Sequence, residues 1–189
     1  MIQKGFTLVQ LVVGLALIAL IGGIAAPNIF KRMPQYERDT FYETLNSLAR
    51  QTWIRALQTG HVHKITFNLA MRTIQVEEKT DAVDHEDKPL FERVLINVVH
   101  SNYQWPDHYE IKQFYVEGVD EVGRHGAEKT MEDIWFFIVP EGMAQEVILN
   151  ILDTKDTSQN SDGKEFSLVL NPFRVQFEEF MEYQNPATI

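Results

Sequence analysis

The chain has 189 residues and a mass of 21.9 kDa, with 17 basic and 27 acidic side chains and a net charge of −10. That length fits one ordinary domain plus an appendage, at roughly 150 residues per domain, and 44% hydrophobic with 23% charged residues is too apolar for a disordered chain. A pI near 5.0 argues against free nucleic-acid binding, and the absence of cysteine excludes disulfides, zinc–thiolate and iron–sulfur sites and a cysteine nucleophile.

The first element is apolar. From Gly5 to Phe30 no side chain is charged, a run of 26 residues. A bilayer core of about 30 Å takes roughly 20 helical residues, so the run is long enough to span. A cleaved secretory signal has an apolar stretch of only about 7–15 residues and a small-residue cleavage site. Here the run is longer, and Pro27 follows Ala25 and Ala26, where cleavage would have to occur. The length favours a retained anchor over residues 6–30.

The opening residues MIQKGFTLVQL carry a resemblance. A short basic leader ending in Gly, then Phe-Thr-Leu and an uninterrupted apolar helix, resembles the type III signal of type IV pilins and type II secretion pseudopilins. The resemblance implies that residues 1–5 are a leader, cut by a prepilin peptidase between Gly5 and Phe6, with N-methylation of Phe6. Gly5 has no Cβ, which lets a peptidase approach the backbone closely, and Lys4 holds the leader on the cytoplasmic side. Pro27 falls where these proteins commonly have a helix-bending proline. Gln10 departs from the pattern, because the family usually has Glu there. A carboxylate at that point can pair with the α-amino cation of a neighbouring subunit, whereas an amide accepts a hydrogen bond without neutralising the charge. In the pseudopilin family the missing Glu is known in a minor tip subunit. Lys31 and Arg32 follow the anchor and outnumber Lys4, so a bare count of positive charge places the C-terminal part in the cytoplasm; the resemblance implies the opposite, a periplasmic C-terminal domain.

Helical periodicity resumes after Pro34. Phe41, Leu45, Leu48, Thr52 and Ala56 form one stripe, flanked by Ala49 and Trp53, and Gly60 suits a left-handed cap. The expected element is one bent helix from Phe6 to about Thr59, with residues 31–60 as an amphipathic stem. The period then changes to two. HVHKITF and RTIQVEE read as a hairpin around NLAM, and further strands fit RVLINVVH, HYEIKQFYVEG, DIWFFIV, QEVILNILD, FSLVL and RVQFEEF. The expected fold class is α+β, with a long N-terminal helix followed by an antiparallel sheet or sandwich over residues 61–189. Two stretches resemble minor pseudopilins of the H type: WFFIVPEGMAQEVILNILD, with Pro140-Glu141-Gly142 between strands, and FSLVLNPFRVQFEE, with Asn171-Pro172 at the turn of a closing hairpin. The acidic middle from Lys79 to Lys129 aligns with neither.

Charge is segregated. Lys31 to Arg72 holds seven basic and three acidic residues, and the stretch after Arg72 nine basic and 24 acidic. Charge runs of this sort usually face water; the alternative is that basic stems sit against acidic heads of neighbouring subunits.

Little in the sequence does chemistry. Ser47 lies in a helical pattern without a G-x-S-x-G turn. His61 and His63 alternate on one strand face, but no H-E-x-x-H motif or third ligand accompanies them, and surface histidines are the expected reading. In the loop 156–165, Ser158, Asn160, Asp162 and Gly163 match the start of a calcium loop, but Val169 stands where the bidentate acid belongs, so a plain turn is expected. No metal, cofactor or enzymatic activity is expected.

The resemblance implies a non-enzymatic minor pseudopilin of a type II secretion system. It would be a single-pass protein of the bacterial inner membrane with its N-terminus in the cytoplasm. Its implied partners are other pseudopilins, the prepilin peptidase and the inner-membrane assembly platform. A minor pilin of a type IV pilus or DNA-uptake system shares every N-terminal feature, and only that alternative brings in nucleic acid. A membrane-anchored periplasmic enzyme or binding protein is the alternative of another class.

Overall fold

The computed structural model describes residues 8–83, 85, 87–94, 102–125, 133–157 and 161–188. Gly5 and Phe6 lie outside them. The first element is a helix, α1 (Leu8–Thr59), which runs on through Pro27 and Pro34. The chain divides into two compact units, one up to Asp39 and one from Thr40 onward. In the first, Leu8, Leu11, Leu15 and Ile18 are all exposed, as is Gln10. Among the described residues no helix is long and apolar enough to cross a membrane.

The second unit begins inside α1. Phe41, Leu45, Leu48, Ala49, Thr52 and Ala56 are buried, so the stripe expected from periodicity is a core face. The helix ends at Thr59, where Gly60 takes φ +72° and its N–H bonds Ala56 O at 2.9 Å. Then follow β1 (His63–Asn68), β2 (Thr73–Val83), β3 (Pro89–Arg93), β4 (Asn102–Gln104), β5 (Tyr109–Val116), β6 (Val119–Asp120), α2 (Glu121–His125), β7 (Ile134–Val139), β8 (Met143–Ala144), β9 (Val147–Asp153), β10 (Lys164–Asn171) and β11 (Gln176–Phe180). They form two antiparallel sheets. One has the order β3-β2-β1-β7-β8, with β4 beside β2 beyond the reach of β3, and the other β11-β10-β9-β5-β6.

The two sheets share one core with α1. Phe67 of β1 meets Phe114 of β5 edge to face at 5.1 Å, Phe136 of β7 meets Phe177 of β11 at 6.4 Å, and Phe41 of α1 lies 5.3 Å from Tyr109 of β5. β7 alternates as a half-buried strand should, with Ile134, Phe136 and Ile138 inside and Trp135 outside. β9 is covered on both faces because the C-terminal tail crosses it. Asn150 Nδ2 donates to Gln113 Oε1 (2.7 Å) and to Gln184 O (2.9 Å), while the Gln184 N–H reaches Asn150 Oδ1 and Ser167 Oγ, each at 3.1 Å. Burial, with the carboxylates of Glu165 and Glu110 adding to it, pushes the Tyr183 phenol in that tail up to about 12.

Two segments differ from the sequence reading. The strand expected across 93–100 begins earlier, as β3, and its Phe91 stands opposite Lys79 of β2; residues 95–100 lie outside the described residues. The stretch after β6, expected as a loop, opens with the short helix α2. Asp120 immediately precedes it, a residue type that favours helix starts.

Candidate assembly surfaces

Asn46 of α1 seals the edge of the second sheet. Its Oδ1 accepts the Phe177 N–H at 2.6 Å and its Nδ2 donates to Phe177 O at 3.3 Å, which also accepts the Tyr42 hydroxyl at 3.1 Å. An edge strand with open N–H and C=O groups is a template for pairing with another chain. Here a side chain mimics the missing strand at one residue of β11. On the far side, Ala144 N–H of β8 donates to Pro172 O at 2.9 Å, so the edge of the first sheet is tied to the β10–β11 turn.

The turns at Pro140 and Asn171 are built as their sequences require. Gly142 N–H bonds Val139 O at 3.1 Å with Pro140 at the second position and Gly142 at φ +91°, a hairpin connection that needs glycine at its end. In the closing hairpin, Asn171 Oδ1 accepts the N–H groups of Phe173 (3.0 Å) and Arg174 (3.1 Å), and Val175 N–H bonds Asn171 O at 2.9 Å. Val175 therefore sits at φ +49°, a strained position for a β-branched residue, and is held there by burying its side chain.

The histidines are not the surface pair that alternation suggested. His63 is buried, its Nδ1 3.0 Å from His61 O, and it shares Glu78 with His61 and Arg55. Glu78 Oε1 lies 3.0 Å from His61 Nδ1. Its Oε2 accepts from Arg55 Nε and Nη2, both at 3.2 Å, and lies 3.6 Å from His63 Nε2. Burial pushes the His63 imidazolium to a pKa below its ordinary value. For Glu78, burial acts to raise the pKa, but hydrogen bonds from His61 and Arg55 and the charge of His63 outweigh it and hold the carboxyl below its usual range. Alternation brought the two histidines to one face; the carboxylate between them comes from the neighbouring strand, where β1 pairs β2 with His63 opposite Glu78.

Pairing also absorbs much of the basic segment. Arg55 bonds Glu78, Lys64 bonds Glu77, and Arg72 bonds Asp107 at 2.9 Å. Arg50, exposed on α1, and Arg174, exposed on the β10–β11 turn, form no ion pair among the described residues. They line one groove, together with Ser47, Trp53, Phe173 and Gln176, and Phe173 is 74% exposed. The sequence contained the turn but not this groove, because the helix and the turn lie more than a hundred residues apart.

Among the described residues no three His, Cys, Asp or Glu side chains are placed to hold a metal ion. In the loop considered for calcium, Ser158 and Asn160 lie outside the described residues. At its start Asp153 Oδ1 accepts the N–H groups of Lys155 and Asp156, and Gly163 at φ +130° passes so near β9 that a Cβ would lie 2.5 Å from Asp153 O. Ser47 Oγ only accepts from Gln51 Nε2 at 2.9 Å. Of the N-terminal site residues, Gln10 lies in α1, Pro27 is inside its span, and Gly5 and Phe6 are outside the described residues.

With this geometry in place, comparison with known proteins gives a fold. No protein-family model matches the chain, and no curated protein matches it. Its structure is similar to that of the minor pseudopilin EpsH from the Type 2 Secretion System of Vibrio cholerae. The superposition covers 77% of this chain and 97% of that one, with a TM-score of 0.50 and 10% identical residues. The fold is pseudopilin-like. A second structure of the same pseudopilin covers 77% of this chain and 99% of that one, with a TM-score of 0.43 and 10% identity. The likeness is one of architecture, with nine in ten aligned side chains different.

Proposed function

We propose that this chain is a minor pseudopilin of a type II secretion system, a non-enzymatic subunit of a short periplasmic filament that supports protein export. The observation that carries the reading is the likeness of nearly the whole of a solved minor-pseudopilin chain to this one, in a protein whose first residues include Gly5-Phe6-Thr7-Leu8 and an uncharged run. On this reading residues 1–5 are a leader, 6–30 cross the inner membrane, 31–60 form the stem and 61–189 the periplasmic domain. A prepilin peptidase cuts between Gly5 and Phe6 and methylates Phe6; other pseudopilins and the inner-membrane assembly platform are the partners. Gln10 suits a subunit that enters the filament once, near an end. It has no like neighbour whose α-amine needs its carboxylate, and an amide is less costly in lipid than a charge.

The test is processing coupled to export. Gly5→Leu places a side chain at the point of peptidase approach. The variant is expected to remain an uncut precursor and to fail to restore secretion in cells lacking the wild-type gene. A Gly5→Leu protein that matures at Phe6 and restores export would remove the basis of the assignment.

A further inference from the structure

The groove between α1 and the β10–β11 turn is lined by Arg50 and Trp53 on the helix and by Phe173, Arg174 and Gln176 on the hairpin. Its aromatic member Phe173 is 74% exposed at the tip of a hairpin, yet the tip is rigid, pinned by both N–H bonds to Asn171 Oδ1 and by the buried Val175 held at φ +49°. An exposed aromatic side chain on a fixed backbone loses little freedom on binding. Opposite it on the helix stands Trp53, half-buried, with Ile54 at 40% and Leu57 at 48% exposure continuing the apolar surface. Trp and Arg are the residue types that most often anchor protein interfaces.

Charge decides the kind of occupant. The chain is net −10, and Arg55, Lys64 and Arg72 are each paired with its own acids. Arg50 and Arg174 bracket the groove without an ion-pair partner among the described residues. Two guanidinium groups lining a groove with two aromatic side chains fit carboxylates that carry an apolar side chain between them. We propose that this groove receives an acidic segment of a neighbouring protein subunit, with an apolar residue seated on Phe173 and Trp53 and carboxylates on Arg50 and Arg174. The inference rests on the pseudopilin reading and specifies which face of the subunit meets its neighbour and by what chemistry.

The experiment uses the full chain in membranes of its own cells, with the photo-crosslinking residue p-benzoylphenylalanine in place of the exposed Gln176. In a second strain the same residue replaces Leu17 of the N-terminal helix. Crosslinked peptides are mapped by mass spectrometry. From position 176 the expected product joins an acidic segment of a different protein. Its yield falls about tenfold in the Arg50→Glu, Arg174→Glu variant, as loss of charge complementarity at an interface does. It recovers when the mapped carboxylates are changed to lysine. Absence of a crosslink at 176, a crosslink to lipid, to a second copy of this chain or to a segment without acids, or a yield unchanged by charge reversal would each overturn the groove proposal. Position 17 keeps the two ideas apart: crosslinks to other subunits there, with failure at 176, leave the filament reading standing, whereas no protein crosslink from 17 counts against the filament itself.

Discussion

Asn46→Leu isolates the contact by which the helix closes the second sheet. Leucine keeps asparagine's branched shape, but its bulkier methyls replace Oδ1 and Nδ2, so both hydrogen bonds to Phe177 vanish and the site is crowded rather than emptied. The two losses are unequal. Phe177 O keeps the Tyr42 hydroxyl at 3.1 Å, whereas the Phe177 N–H, bonded to Asn46 Oδ1 at 2.6 Å, is left with no acceptor. A buried donor without a partner costs about 1–3 kcal/mol and the loss of one of two bonds to a carbonyl about 0.5 kcal/mol, so the variant should lose about 2–3 kcal/mol. For a domain of this size that lowers Tm by about 5–10 °C. Tyr42→Phe, which removes only the second donor to Phe177 O, should lose less than half as much. Amide hydrogen exchange locates the effect: Phe177 and its neighbours in β11 should lose protection in Asn46→Leu before β9 does. A melting temperature within 1 °C of wild type, with β11 protection intact, would refute the idea that this side chain seals the edge.

Acid should weaken the fold in two steps. His63 has a pKa below the ordinary 6.5, so the unfolded chain takes up the proton first; its contribution to stability is present above pH 6.5 and is lost as pH falls through the lower folded value. Glu78, held below 4.5, likewise stabilises above that pH and loses its contribution as pH falls through its folded value. Denaturant titrations at pH 8, 6 and 4 should show both losses, and His63→Gln should flatten the first; a His63→Gln protein with the wild-type slope would disprove the assignment. Leu48→Ala, at 1% exposure, should cost about 3–5 kcal/mol by opening a cavity, measured as a fall in denaturant midpoint, and a cost under 1 kcal/mol would show that the stripe is not core. Gly163→Ala meets both a strained φ and the Asp153 carbonyl, and should lower stability by about 2 kcal/mol or more in the same assay; an unchanged midpoint would mean the loop relaxes freely.

Local rules carried the reading as far as patterns of short period reach. The stem stripe from Phe41 to Ala56, the cap at Gly60 and the alternation of β7 follow from spacing alone, because one face meets the core and the other meets water. The turns at Pro140 and Asn171 were visible for the same reason, since proline, glycine and asparagine each restrict the backbone at a single position. β9 and β10 were found as apolar runs, but their cover was not, because the tail that crosses them is held by Asn150 and Ser167, polar residues that look misplaced until Gln184 arrives. His63 looks like a surface residue in the sequence because its partners, Glu78 and Arg55, come from a neighbouring strand and a helix. The Arg50–Arg174 groove had no sequence signal at all: each residue looked like an ordinary solvated charge, and only the packing of a turn beside the helix joins them.

Processing and assembly of this chain as a pseudopilin would leave their mark on the mass of its mature N-terminus. Extraction from the membrane followed by intact-mass and N-terminal peptide analysis should give a chain that begins at Phe6, carries one methyl group on its α-amine and retains the apolar run to Phe30. A protein beginning at Met1, or one cut beyond Ala26 with the apolar run removed, would rule out pseudopilin processing.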